Sequence, residues 1–165
     1  MTYTNADCTL EGRRLLLSEL SELTSDNIAA IVGFQCPSGD LNEDASHYTW
    51  TLIEVPLVKL LACNEDGEEP EGGWKAAYLR HKQSDEEAVA SGSPEYAGRQ
   101  EWLDQWCKNT SQYPIFLVVE DGDYRLWDGY HRLAGAFWNE IPSVTAFVGT
   151  PKPTLDITPA KRPGR

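Results

Sequence analysis

No apolar run in this chain of 165 residues approaches the ~20 residues of a membrane-spanning helix, so no membrane segment is expected. The opening stretch, MTYTNADCTLEGRR, lacks the basic-then-apolar order of a secretion signal, which makes a cytoplasmic location the expectation. Cysteine is sparse and scattered: Cys8, Cys36, Cys63 and Cys107 form no C-x-x-C pair and match no zinc spacing. Reduced thiols are expected, and nothing marks one of them as a nucleophile. Histidine occurs only at positions 47, 81 and 131, too dispersed in sequence to suggest a metal site. Positive charge is scarce as well. Fourteen Lys and Arg stand against 26 Asp and Glu, a net charge of −12, which argues against nonspecific DNA binding. A small anionic ligand is not excluded, because a few local donors can hold one inside a negative protein.

What is present is a globular composition. Hydrophobic residues make up 41%, with six Trp and seven Tyr, enough for one domain with a core and an extension. Residues 9–24, TLEGRRLLLSELSELT, read as a helix with a broad leucine face. SDNIAAIVGFQ reads as a second helix or a strand, and CPSGDLNEDAS as loop. Residues 1–46 are thus expected to form a mainly helical N-terminal extension. YTWTLIEV at 48–55 reads as a strand, followed by a short apolar turn. The acidic, glycine-rich 63–73 reads as exposed loop and WKAAYLRHK as a short helix, with Trp74, Ala77, Tyr78 and His81 on one side. QSDEEAVASGSP is weakly patterned, so 63–94 as a whole reads as an insertion. Residues 93–109 carry a helix start at Ser93-Pro94-Glu95, with Trp102, Leu103 and Trp106 at helical spacing. QYPIFLVVE is a buried-type strand, Asp121-Gly122 a tight turn, and DYRLW its antiparallel return. A helix with Leu133, Ala136 and Phe137 buried comes next, then a strand with Val144, Ala146 and Val148 alternating. The order is strand, helix, strand, hairpin, helix, strand: an α/β (α+β) domain with a mixed sheet on residues 47–149. Residues 150–165, proline-rich and basic at the end, read as a flexible tail.

The densest chemistry lies in LWDGYHRLAGAFW, residues 126–138, where a strand turns into a helix. A helix start leaves amide groups without partners and carries partial positive charge, so an anion placed there is favoured. Gly129 permits a sharp turn. Arg132 can grip phosphate oxygens with its planar fork, and His131 can donate to phosphate or carry a proton near neutral pH. A second reading stands beside this one. Asp128 then caps the helix, Gly129 only turns the chain, and Arg132 pairs with an acid.

PIFLVVEDGDYRLWDGYHRLAGAFWNEIPSVTAFV, with IEVPLVKLLA at 53–62 as its entry segment, resembles the ParB/sulfiredoxin superfamily. The shared pattern is a Pro-Ile strand, a hairpin, a Gly-x-His-Arg turn opening a helix, and a last strand after an Ile-Pro connection. The resemblance covers residues 50–149. It implies nucleotide binding, of ATP or CTP with Mg²⁺, with phosphates held by Asp128, Gly129, Tyr130, His131 and Arg132 and by Arg99 on the preceding helix. It also implies a carboxylate base early in the domain, for which Glu54 is the candidate, with His131 beside it as a catalytic group. Tyr130 occupies the place of the sulfiredoxin catalytic Cys, so sulfinic-acid reduction is not expected. Only a short tail stands in place of the ParB DNA-binding domain. Three functions are therefore open: an ATPase or small-molecule phosphotransferase, a nucleotide-binding module without turnover that acts on a protein partner, and an acidic interaction or inhibitor protein of a mobile element that retains the fold without the ligand.

Overall fold

A computed structural model describes residues 47–64 and 66–153. The expectations for residues 1–46 and for the tail from 154 onward lie outside the described residues. The elements are β1 (Tyr48–Pro56), α1 (Gly73–Ala90), α2 (Arg99–Trp106), β2 (Ile115–Glu120), β3 (Asp123–Asp128), α3 (Tyr130–Trp138) and β4 (Ser143–Pro151), with short 3-10 turns at Leu57–Leu60, Pro94–Tyr96 and Thr110–Gln112. None of the described helices is long and apolar enough to cross a membrane.

The four strands form one mixed sheet in the order β1-β4-β2-β3. β1 and β4 pair antiparallel, from Tyr48 opposite Pro151 to Pro56 opposite Ser143. The sheet thus reaches Pro151, two residues past the domain end expected from sequence. β2 runs parallel to β4 and antiparallel to β3. Asp121 and Gly122 turn the β2–β3 hairpin with φ of 52° and 86°, the left-handed pair that a two-residue hairpin requires.

Alternation along the strands sends Val55, Ile115, Leu117, Leu126, Val144, Ala146 and Val148 to one face, where they meet the helices. α1 brings Trp74, Ala77 and Tyr78 into that core; α2 brings Leu103 and Trp106; α3 brings Leu133, Ala134 and Ala136. Trp74 stacks on Phe137 at 5.5 Å, and its indole N–H donates to Leu61 O at 2.9 Å. The stretch expected to be an insertion therefore supplies an 18-residue helix that is part of the core. The opposite sheet face is aromatic: Trp50, Phe116 and Phe147 are buried there, with Trp50 stacked on Trp127 at 5.2 Å. β4, central and buried on both faces, thus reads as a nearly continuous apolar run.

One helix begins later than its sequence suggests. Ser93 makes no capping bond, Pro94–Tyr96 form a 3-10 turn, and α2 starts only after Gly98, at φ 81°. The left-handed glycine re-aims the chain and sets Arg99 at the first helical position.

Candidate functional site

β3 ends at Asp128, Gly129 turns the chain with φ 110°, and α3 begins at Tyr130. A Cβ at position 129 would lie 2.6 Å from Ile115 Cγ2, so packing and backbone conformation both demand glycine there. The N-cap of α3, Gly129, has no side chain to offer. Asp128 Oδ2 accepts from Arg132.

Arg132 departs from its expected role. Its side chain is 4% exposed; Nη2 donates to Asp128 Oδ2 at 2.7 Å, and Nη1 donates to Tyr113 O and Pro114 O at 2.9 and 2.8 Å. The fork faces inward and ties the start of β2 to the turn. A guanidinium held in this way is a latch within the fold and is not presented to a phosphate. Tyr130 also faces inward, against Trp74 and His81, each at 5.2 Å between ring centroids.

His131 and Arg99, 32 residues apart, do come together. Arg99 Nη1 lies 3.1 Å from His131 Nε2 and 3.0 Å from Asp85 Oδ1. The Gln100 side-chain amide donates to Asp85 Oδ2 at 2.9 Å, so both carboxylate oxygens of this buried acid are engaged. The Arg99 guanidinium also lies over the Tyr96 ring at 5.1 Å. A guanidinium has only donors. His131 Nε2 must therefore accept, and the imidazole proton resides on Nδ1. Burial, followed by the positive neighbours His81, Arg99 and Arg132, pushes the His131 pKa down to about 3. A neutral ring with one N–H donor thus stands at a helix start.

His81 and Asp85 were not anticipated as members of this cluster. Both project from α1, and the His81 ring meets His131 at 4.2 Å. Burial first, then Arg99 and Arg80, lowers the His81 pKa. Burial raises that of Asp85, against the opposing pull of Arg99 and Gln100. The sequence signal was their spacing: residues four apart share one face of a helix.

Glu54 is not brought to this cluster. It lies on the sheet face opposite the helices, next in sequence to core-facing Val55 and opposite Thr145. Its Oε1 accepts from the Thr145 hydroxyl at 2.9 Å and its Oε2 from the Ser143 hydroxyl at 2.7 Å. Thr110 completes the chain, with its hydroxyl 3.0 Å from that of Thr145 and accepting the Thr145 amide. Among the described residues no three His, Cys, Asp or Glu side chains are grouped to hold a metal ion.

Comparison with family models, with curated proteins and with solved structures returns no match.

Proposed function

We propose that this protein is a ParB/sulfiredoxin-like nucleotide-binding module that holds the phosphates of ATP or CTP at the start of α3 and acts by binding rather than by turnover. The observation that carries this reading is the Arg99–His131 contact of 3.1 Å at a helix whose N-cap is glycine. It fixes the imidazole proton on Nδ1 at a helix whose first-turn amides have no intrahelical acceptor. A neutral imidazole at a helix N-terminus still donates a hydrogen bond, and it avoids the unfavourable meeting of a cation with the positive end of the dipole. The group holding phosphate is then the amides of residues 130–132 with His131, and Arg99 acts through His131.

Binding without turnover is supported by Glu54, which lies across the sheet from the His131 cluster, hydrogen-bonded to Ser143 and Thr145. Among the described residues no three His, Cys, Asp or Glu side chains are arranged to seat the Mg²⁺ expected with the nucleotide.

Calorimetry with ATP, ADP and CTP, with and without Mg²⁺, tests the proposal. Wild type should bind one of them, and His131→Ala should weaken binding ~10-fold or more, the loss of at least one hydrogen bond to a charged group. Absence of binding by wild type would overturn it. That outcome would favour the acidic interaction protein, a reading supported by the mutual pairing of Arg132 and Asp128 and by the net charge of −12.

A further inference from the structure

A second site lies on the other side of Arg99. The C-terminal half of α1, the turn at 96–98, α2 and Trp138 enclose a cleft of about 590 Å³, within the ~300–1,000 Å³ range of small-molecule sites. Tyr78 and Trp138 form one wall, stacked at 4.8 Å and 10°, and Trp138 is 41% exposed. The charges on the remaining walls do not balance. Arg99 is bound to Asp85 at 3.0 Å, and Lys82 stands 4.0 Å from Glu86. Each cation in the lining thus has its acid. Glu101 and Asp104, one helical turn apart on α2, have no ion-pair partner among the described residues. Asp104 accepts the Asn139 side-chain amide, at 2.9 Å. Gln100, also in the lining, has its Oε1 buried without a hydrogen-bond donor.

We infer that this cleft binds a small organic cation, an ammonium or guanidinium group on an apolar body. An aromatic wall attracts a cation to its face. Two uncompensated carboxylates supply the charge. An anion such as a nucleotide phosphate would meet like charge here, so the ligand class differs from that at α3. The Tyr78 hydroxyl reports the same field: burial first, then Asp104, Cys107 and Glu101, pushes its pKa up to about 12.

Agmatine, a guanidinium and an ammonium on a four-carbon chain, is the probe. Titrated into the full chain and followed by tryptophan fluorescence and calorimetry, it should bind saturably with Kd on the order of 1 mM or tighter. Glutarate should not bind. Glu101→Gln and the Glu101→Gln/Asp104→Asn pair change exposed positions and should leave the melting temperature near that of wild type, while the pair weakens agmatine binding ~10-fold. Trp138→Ala should abolish most of the fluorescence response. No saturation by agmatine, equal binding of glutarate, or unchanged affinity in the charge variants would each overturn the assignment.

Discussion

Arg99 Nη1 stands 3.1 Å from His131 Nε2 and 3.0 Å from Asp85 Oδ1, so one guanidinium joins α1, α2 and α3 at a single point. A carboxylate holds the arginine, and the arginine fixes the tautomer of the histidine. Nitrogen NMR should therefore find the His131 proton on Nδ1 and the ring neutral down to about pH 3. The pKa is lower folded than unfolded, so the contribution of this group to stability is complete above the ordinary histidine value of 6.5 and is lost as pH falls from there toward about 3. His81, also lowered, acts in the same direction. Asp85, raised by burial, acts in the opposite direction at lower pH. Urea denaturation between pH 7 and 4 should show this loss, and His131→Gln should flatten it. A His131 that titrates near 6.5 would contradict the geometry.

Arg132 should behave as a structural residue. Arg132→Ala removes one partner of the ion pair with Asp128 and takes the Arg132 donor from the Pro114 carbonyl, while Tyr113 O keeps the Trp106 indole N–H. The expected cost is ~3–5 kcal/mol, read as a fall in the urea midpoint at constant slope. Arg132→Lys, which keeps the charge and loses the fork, should still be markedly destabilised. An alanine variant with an unchanged midpoint would show that the latch contributes nothing.

Gly129→Ala combines two penalties, a left-handed φ of 110° and a Cβ 2.6 Å from Ile115 Cγ2. The strain costs ~1–3 kcal/mol, and the clash adds to it because Ile115 is fully buried. Ile115→Ala in the same chain removes the Cγ2 methyl from this contact, so the double variant should be less destabilised than the sum of the two single variants. If the two losses simply add, the clash is not the cause.

The order of strands and helices was legible because the strands carry β-branched and aromatic apolar segments and the hairpin its Asp-Gly turn. The Gly-x-His-Arg turn was legible as a place where several chemistries meet. What each residue does there was not, because it depends on neighbours distant in sequence. Arg132 reaches Tyr113 and Pro114, and His131 reaches Arg99. The second half of α1 has few apolar positions to mark a periodicity. It is anchored by Asp85, a buried carboxylate that looks in sequence like any other member of an acidic run. The helix expected at 93–109 starts late because Gly98 interrupts it, a break that a cap-and-periodicity reading passes over.

Glu54 separates binding from catalysis most directly. Ser143 and Thr145 donate to its two oxygens, and the Thr110 hydroxyl completes the network behind Thr145. Glu54→Gln keeps one acceptor and offers an amide to the other hydroxyl, so at this exposed position the cost should stay below about 1 kcal/mol. Thr145→Val should cost more, ~1–3 kcal/mol, because the buried Thr110 hydroxyl keeps the Thr145 amide as donor but loses the acceptor for its own proton. Neither change touches the start of α3, and nucleotide affinity should stay within ~2-fold of wild type in both, a difference under half a kcal/mol. If wild type converts ATP to ADP and Glu54→Gln loses that turnover while still binding ATP, the base expected from the sequence is real and the reading of a module without turnover fails.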